Sequence, residues 1–530
     1  KAVEAMPQYL FPNRMVCGFG DTHPSTLRTD IFRYMIQNAR THGKSEEERK
    51  FTAMLKLFDP SSSLPVAERG KAPVAITSFF AGKPLVLDEK VKAGQIDDYV
   101  TPTFYAPNVS WLVQRNGMNP RHSLMVSLNG SEGNHMHANG ISMELYGKGY
   151  VLGPDAGIGK TLYQGLDYLE YYSQFPSHNT VCVDGISSYP VMKSNHSFKL
   201  RALYPAAGER LPYQPISYSE VYFREPETFA DQTRLNGIVN VGDSAGYYID
   251  IFRSRKVEGG DKMHDYFYHN LGQHMTLTAA DGSELGLQPT QELAFAGAHL
   301  YAYSYIYNKK RAVTNKDVKA GFTIQMPDKD DITMNLWMKG EEGREIFSAL
   351  SPMTEGLSRI KNMPYSIKDQ PTLTFVARQK GEAWNRPFVA VYEPSTLKEP
   401  SCIASVDYPQ VKSEQQGSHV GIRVALTNGN VDWILSSDEN AHHCKLEKLQ
   451  ARASYAMCRQ SEKGETIQAF LGNGTQLEAD GVSIRTDVPA DVLLLKQDGK
   501  WMYTATAPCR VVVGKKKYTL SVARELHPLS

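Results

Sequence analysis

The sequence lacks several features that would assign it to a functional class at once. None of its six cysteines forms a Cys-x-x-Cys motif, so neither a compact zinc module nor a thioredoxin-like redox site is predicted, and we interpret the cysteines as mostly free and structural. No apolar run approaches the roughly 20 residues that span a bilayer. We find no signal peptide, no low-complexity tract and no repeat of roughly 20–50 residues.

The sequence also has no excess of one charge. Lysine and arginine (58 residues) balance aspartate and glutamate (57 residues), which argues against a chain-wide field for nucleic acid or membrane binding. What is present is an ordinary globular composition, 41% hydrophobic and 22% charged over 530 residues, long enough for two to four domains. Tryptophan is scarce (5) and tyrosine abundant (29), a balance that suits β-rich proteins and sugar-binding surfaces.

The hydrophobic pattern changes along the chain and predicts a multidomain α+β protein. Apolar spacing predicts one helix over Leu27–Arg40 and a second over Glu46–Leu57, within a first region of residues 1–105 that ends in a linker from residue 61. Short alternating runs over residues 106–400 predict a large antiparallel β-sandwich. Smaller β units continue over residues 401–530, which we interpret as a small C-terminal β domain packed on the sandwich.

One polar stretch carries the strongest functional signal. His135 and His137 stand two apart in a run that reads as β-strand, so their side chains are expected on the same face. His137, Asp155 and His178 together supply two imidazoles and one carboxylate, a plausible ligand set for Zn²⁺. His135 and Asn134 then remain free to face a substrate. The alternative is a set of polar groups that only hydrogen-bond to each other across neighbouring strands.

Longer motifs around this stretch resemble a known family. The runs Gly133–Tyr150, Pro154–Gly157 and Ser177–Gly185 occur in this order, preceded by Gly18-Phe-Gly-Asp21. Together they resemble the heparinase II/III-like polysaccharide lyases, whose relatives include oligo-alginate lyases and exo-acting heparin lyases. The resemblance implies that the first 105 residues hold the last helices of an N-terminal (α/α) toroid.

The resemblance also implies a chemistry. The family cleaves uronic-acid polysaccharides by β-elimination, in which a base removes the weakly acidic C5 proton, polar groups neutralise the adjacent carboxylate, and O4 departs to leave a 4,5-unsaturated uronate. The loop tyrosines Tyr163, Tyr168, Tyr171 and Tyr172 are candidates to reach the cleft. The residues carried over are His135 and Tyr171 as catalytic groups, Asn134, Arg115 and Tyr168 as substrate-binding groups, and His137, Asp155 and His178 as ligands of a structural divalent metal, zinc by preference.

Part of the family pattern has no match in this chain. In the family, an Asn/His pair and a catalytic Tyr come from the toroid, and residues 1–20 contain nothing similar. We expect these groups either upstream of Lys1, in a missing toroid segment or chain, or lost altogether. The absence of an initiator methionine suggests a processed or truncated product, and the resemblance implies a periplasmic or secreted location.

The expected function is therefore a lyase acting on an anionic polysaccharide, with no nucleic-acid or membrane partner. Heparin or heparan sulfate is the first choice of substrate and alginate the alternative. A non-catalytic carbohydrate-binding sandwich is the competing class, favoured by the unmatched toroid motif. A hydrolase would need two carboxylates facing the cleft, and no convincing pair is found. The triplet His442-His443-Cys444 is interpreted as a plain loop rather than a metal site. The sequence does not predict the oligomeric state.

Overall fold

The structure is a computed structural model that describes residues 1–63, 85–160, 166–187, 193–294, 301–327, 329–357 and 367–529. Residues 64–84 of the predicted linker and the candidate Tyr163 lie outside these ranges. The described residues are dominated by antiparallel β-sheet, with helices concentrated near the N-terminus. The predicted β-rich architecture is thus confirmed at this level.

Both predicted N-terminal helices are present. The α-helices are α1 (Ala2–Ala5), α2 (Asp30–Thr41) and α3 (Ser45–Phe58). Phe32 and Ile36 of α2 pack against Phe51, Met54 and Leu55 of α3 in one apolar cluster, as the helical spacing of these residues requires. Membership of an (α/α) toroid stays a prediction, because one helix pair has no diagnostic toroid geometry.

Shorter helical turns connect the larger elements. They are the 3₁₀ turns Met6–Tyr9, Pro60–Ser63, Ile96–Asp98, Phe175–Ser177 and Tyr301–Tyr305, and the π-helical turn Tyr168–Tyr172. No helix in the described part of the chain is long and apolar enough to cross a membrane.

The strands begin at Thr103 and continue almost to the end of the chain. In chain order they are β1 Thr103–Ala106, β2 Trp111–Arg115, β3 Met125–Asn129, β4 Ser131–Asn134, β5 Ser142–Gly147, β6 Tyr150–Gly153, β7 Val181–Val183, β8 Lys193–His196, β9 Lys199–Tyr204, β10 Ile216–Glu225, β11 Ala230–Asn240, β12 Gly246–Lys256, β13 Met263–Asn270, β14 His274–Ala279, β15 Gln288–Pro289, β16 Tyr307–Thr314, β17 Val318–Ile324, β18 Ile332–Met338, β19 Arg344–Ser351, β20 Thr372–Lys380, β21 Ala383–Thr396, β22 Ile403–Asp407, β23 Lys412–Ser413, β24 His419–Leu426, β25 Val431–Ser437, β26 Cys444–Leu446, β27 Leu449–Gln460, β28 Thr466–Ala479, β29 Val482–Gln497, β30 Lys500–Ala505, β31 Cys509–Val513, β32 Lys516–Leu520 and β33 Ala523–Pro528.

Three sheets build the sandwich region. A five-stranded sheet has the order β1-β2-β3-β5-β6, an eight-stranded sheet the order β14-β17-β18-β21-β12-β11-β10-β9, and a six-stranded sheet the order β15-β16-β19-β20-β13-β7. One large apolar core lies between them and includes Leu112, Tyr248, Tyr266 and Phe388. The short strands β4 and β8 pair separately, and β4 leads directly into the loop that contains His135 and His137.

The eight-stranded sheet buries both of its faces. Along β12, Tyr248 and Phe252 point into the core of the sandwich, whereas Tyr247, Ile249 and Ile251 point the other way into a second core. Successive strand residues face opposite sides, so a strand covered on both sides reads as continuously apolar rather than alternating.

The second core joins the sandwich to the C-terminal sheet. Twelve strands, β22 to β33, form this sheet, and Ile422, Met457 and Phe470 face the eight-stranded sheet. The predicted small terminal β domain is therefore a sheet larger than any in the sandwich. A third core lies on the other side of the C-terminal strands and includes Leu446, Leu471 and Leu494. The domain boundaries at residues 105 and 400 stay predictions.

The segment before α2 is fastened to the five-stranded sheet by aromatic stacking. Tyr9 and Phe19 stack on the Trp111 ring with centroid distances of 4.1 and 4.3 Å. Stacked aromatic pairs contribute about 0.5–1.5 kcal/mol beyond the area that they bury. Because Phe19 is fixed in this way, Asp21, two residues further on, lies beside the loop that follows β4.

All six cysteines are buried and free of disulfides. The prediction that they are mostly free is confirmed.

Candidate active site and metal site

The two central histidines lie in a loop rather than in a strand. Strand β4 ends at Asn134, and His135 has a left-handed φ of 59°, a conformation that breaks strand geometry. The predicted strand through His135 and His137 is therefore wrong. Gly20 packs directly against this loop. Only glycine allows this approach, because a Cβ atom at position 20 would lie 2.2 Å from the carbonyl oxygen of His135. The Asp21 amide donates to that same carbonyl at 2.9 Å.

Asp21 joins both histidines through one carboxylate. Nδ1 of His135 donates to Oδ2 at 3.1 Å, and Nε2 of His137 donates to Oδ1 at 3.0 Å. The Tyr168 hydroxyl donates to Oδ1 at 2.5 Å. The two histidines therefore converge, as expected, but through a shared acceptor and not through strand alternation.

The electrostatics of this carboxylate favour its ionised form. Burial alone would raise the pKa of Asp21, but hydrogen bonds from His137, Tyr168 and His135 outweigh it, and the pKa lies below its ordinary value. For Tyr168 the effects act together, because burial and the Asp21 carboxylate both raise the pKa of the phenol. Tyr168 is therefore a proton donor that holds Asp21, and it stays protonated at neutral pH.

His135 is the exposed member of this group. Its side chain is 64% exposed, whereas those of Asp21 and His137 are 3% and 0% exposed. Asn134 is also exposed. Because the carboxylate can only accept, Nδ1 of His135 carries the proton, and Nε2 of the neutral ring presents a lone pair. The arrangement is that of a general base oriented by a buried carboxylate.

The predicted metal ligands are brought together beneath this surface. His137, Asp155 and His178 are all buried, and one ligand atom from each lies within 4.8 Å of the others. Nδ1 of His178 lies 2.9 Å from Oδ2 of Asp155. Burial lowers the pKa of His178 despite the opposing Asp155 charge, and the neutral form is the one that binds metal.

Two ring nitrogens of this trio, Nδ1 of His137 and Nε2 of His178, argue specifically for a ligand role. Nδ1 of His137 is buried and has no hydrogen-bond partner within the described ranges. A buried polar nitrogen left unpaired costs about 1–3 kcal/mol, and coordination to a cation would remove that cost. Asp21 would then hold the other ring nitrogen of His137, as carboxylates commonly do for histidine ligands of zinc.

A second buried carboxyl group lies beside the trio. The Glu144 side chain accepts the backbone amides of Gly18 at 2.8 Å and Asp155 at 3.2 Å. Burial raises the pKa of Glu144, and the neighbouring Asp155 raises it further. Both residues line a small cavity of about 20 Å³, room for about one water molecule. Glu144, in β5, thus ties the Gly18-Phe-Gly-Asp21 motif to the backbone of Asp155.

Arg115 and Tyr171, predicted to bind substrate and to act in catalysis, do not face the surface. Arg115 is fully buried and donates to the carbonyl of Thr101 at 3.1 Å and to that of Gln8. It links the N-terminal segment to β2 and cannot contact a substrate in this conformation. Tyr171 is also buried, and it stacks on Tyr305 with a centroid distance of 5.6 Å. Burial raises the pKa of Tyr171, so both its position and its chemistry disfavour a catalytic role.

The other loop tyrosines divide between the site and the core. Tyr168 reaches Asp21 but is itself buried, so it contacts the site residues rather than solvent. The Tyr172 hydroxyl donates to the carbonyl of Met353 at 2.7 Å, a packing contact. Asp21 is the site residue that sequence reasoning missed. The motif Gly18-Phe-Gly-Asp21 contains this residue, but in the sequence it indicated only the family resemblance and not a role for Asp21.

Comparison with known proteins identifies a named relative in sequence. The chain is 27% identical over 515 residues to a protein named endo-acting ulvan lyase from Formosa agariphila. The chain is thus similar in sequence to a protein that is named as a polysaccharide lyase. The predicted resemblance to polysaccharide lyases is thus confirmed. The match covers 90% of this chain and 60% of the relative, so the chain spans about three fifths of the relative's length.

Two further comparisons concern parts of the molecule. Residues 409–495 match the family described as the endo-acting ulvan lyase C-terminal domain. Among solved structures, a heparinase III gives a TM-score of 0.42 at 13% identity, covering 79% of this chain and 49% of its own. A heparan sulfate lyase from Pedobacter heparinus gives 0.39 at 12% identity, covering 80% and 50%. The relative with the sequence match is named for ulvan, and not for heparin or alginate.

Proposed function

We propose that this chain is part of a polysaccharide lyase that cleaves an anionic, uronate-containing polysaccharide by β-elimination. The observation that carries the proposal is the exposed His135 ring, whose Nδ1 is fixed by the buried Asp21 carboxylate at 3.1 Å. This pairing supplies the one group that the reaction most needs, an oriented base at the protein surface. The sequence relationship to a lyase supplies the reaction class.

From this geometry we propose a role for each group at the site. Nε2 of His135 takes the C5 proton of the uronate, the C4–O4 bond breaks, and a C4–C5 double bond forms. The departing O4 takes up a proton from an acid or from solvent. The exposed Asn134 amide next to His135 can donate to the substrate carboxylate and stabilise the charge that develops on it. Asp21 stabilises the imidazolium that His135 becomes.

Ulvan is the substrate that we propose first. The name of the Formosa agariphila relative gives ulvan as the polymer on which that protein acts. The C-terminal family match carries the same substrate name. Heparin and heparan sulfate, the first choice from sequence alone, have no comparable support, and alginate has none.

We also propose that His137, Asp155 and His178 hold one Zn²⁺ with a structural role. The support is the orphaned Nδ1 of His137 together with the burial and spacing of the three side chains. When bound, the ion would supply a fixed positive charge that holds the loop of His137 against the segments of Asp155 and His178. An ion held by these three residues would lie beneath the base rather than at the reacting bond. A secreted or periplasmic location remains part of the proposal.

The test is the ultraviolet absorbance of unsaturated uronate during incubation with ulvan, heparin, heparan sulfate, chondroitin sulfate, hyaluronan and alginate in turn. We expect a rise with ulvan. A rise only with another polymer would keep the reaction and replace the substrate. A flat trace with every polymer, from protein with a native near-ultraviolet circular dichroism spectrum, would favour the competing class, a non-catalytic carbohydrate-binding protein.

Metal analysis after chelator-free purification tests the proposed zinc site. It should return zinc, and the loss of that zinc from a His178→Gln variant would support the proposed ligand set.

A further inference from the structure

A second group of metal-ligating side chains lies far from the candidate active site, in the C-terminal sheet. His419 begins β24, whereas Asp438 and His442 lie in the loop between β25 and β26. One ligand atom from each of the three lies within 4.8 Å of the others. The three residues are 4 to 23 positions apart in sequence and are all half-buried.

The spacing of the two imidazoles is that of ligands sharing one ion. Nε2 of His419 lies 3.3 Å from Nδ1 of His442. Two zinc–nitrogen bonds of about 2.0 Å at a tetrahedral angle place their nitrogens about 3.3 Å apart.

The carboxylate of this group is already fixed in place. Oδ1 of Asp438 accepts the backbone amide of Ser418 at 3.0 Å, and Oδ2 accepts the indole N–H of Trp384 at 2.7 Å. A carboxylate offers about four lone-pair positions, so two hydrogen bonds leave capacity for a metal. Donors that orient a ligating carboxylate are a usual part of metal sites.

Gly417 makes the close approach of these groups feasible. A Cβ atom at this position would lie 2.7 Å from Oδ1 of Asp438 and 3.0 Å from Nδ1 of His442. Any side chain would therefore displace the ring or the carboxylate. The glycine leaves the space beside these two ligand atoms open.

We propose that His419, Asp438 and His442 form a second divalent-metal site, suited to Zn²⁺ with water as a fourth ligand. The site is independent of the proposed lyase activity. It is positioned to fasten the C-terminal sheet to the sandwich, because Asp438 is held by Trp384 at the start of β21. Arg253 of the sandwich also donates hydrogen bonds to Ser418 and Ser436 of the C-terminal region, and so joins the same two sheets. A bound ion would thus stabilise the junction between the two sheets.

The test compares Zn²⁺ uptake by chelator-stripped protein of the full chain. The key variant is His442→Gln, and the matched control is His443→Gln, which changes the adjacent histidine of the same loop. We expect the His442→Gln variant to bind one equivalent fewer than wild type, and the His443→Gln variant to match wild type. Zinc should also raise the Tm of the wild type by more than it raises that of His442→Gln.

A second pair of variants separates this site from the first. The His178→Gln variant should lose a different equivalent, so that the double variant with His442→Gln loses both. If His442→Gln does not fold, His419→Gln removes the opposite ligand and carries the same expectation. Equal zinc uptake by wild type and by the folded His442→Gln or His419→Gln variant would overturn the proposal, and would make the 3.3 Å contact a hydrogen bond between two rings.

Discussion

Asp21 lies 3.1 Å from Nδ1 of His135, although 114 positions separate the two residues in sequence. The contact depends on the stacking of Phe19 on Trp111 and on the close approach of Gly20 to the His135 carbonyl. The same carboxylate holds His137, which belongs to the candidate metal site. A single buried anion therefore connects the exposed base to the buried ligands.

The Asp21→Asn variant tests this connection. An amide offers one oxygen acceptor where the carboxylate offers two, so it cannot receive His135, His137 and Tyr168 in the present geometry. We expect kcat to fall by roughly 10²–10⁴-fold, as for other bases that lose their orienting carboxylate. Zinc content measured on the same sample separates the loss of His135 orientation from the loss of a metal. Unchanged kcat with normal zinc would remove Asp21 from the mechanism.

The loop tyrosines allow a matched comparison. The Tyr168→Phe variant removes a hydrogen bond to Asp21, so we expect a roughly 10-fold or greater loss of kcat. The Tyr171→Phe variant removes a hydroxyl that is buried away from the site, so we expect kcat to stay near the wild-type value. Steady-state rates of unsaturated-uronate formation would distinguish them. A larger loss in Tyr171→Phe than in Tyr168→Phe would return the catalytic role to Tyr171.

Arg115 should behave as a structural residue. In Arg115→Met, the carbonyls of Thr101 and Gln8 lose their donor, and we expect the free energy of unfolding to fall by about 2–4 kcal/mol. The control is Arg121→Met, whose exposed ion pair with Glu399 contributes at most about 1 kcal/mol. Denaturant titration measures both. A raised KM in Arg115→Met without a loss of stability would instead indicate substrate contact.

The stability of the C-terminal sheet should depend on pH through Asp491. Burial raises the pKa of Asp491 to about 6, and its Oδ1 accepts the Tyr218 hydroxyl and the Asn473 amide. Because the folded pKa exceeds the unfolded value of 3.8, ionisation penalises the folded state. That penalty is absent below about pH 4, grows as the pH rises towards 6, and is constant above that.

An asparagine would keep both hydrogen bonds without the charge. We therefore expect the Asp491→Asn variant to gain stability over wild type at about pH 8, by at most about 3 kcal/mol, with the gain vanishing near pH 4. Denaturant titrations at the two pH values measure the difference, and the exposed Asp480→Asn is the control. A stability difference that does not change with pH would contradict the raised pKa.

Sequence reasoning recovered the elements whose signal is local. Helices α2 and α3 begin and end within a few residues of the predicted bounds, because their apolar spacing matches one buried face. The runs predicted as strands within residues 106–400 do form strands, although β2, β3 and β5 are buried along their whole length and not on one face. The trio of His137, Asp155 and His178 was also predicted together, but from residue types and a family resemblance rather than from any local pattern.

The failures share one physical cause, which is that a side chain's direction depends on partners distant in sequence. Arg115 is the last residue of β2, and nothing local reveals that its guanidinium turns inward to reach Gln8. The strand through His135 was predicted from alternation, but the left-handed φ there is imposed by packing against Gly20.

The measurement that tests the central claim most directly is the rate at which the His135→Ala variant forms unsaturated uronate, on the polymer that the wild type cleaves. The 64% exposed side chain leaves little packing to lose, so fold and Tm should be retained. We predict a rate at least about 10²-fold below wild type, with the exposed His274→Ala variant as a control near wild type. A His135→Ala variant that cleaves at the wild-type rate would contradict the assignment of His135 as the base.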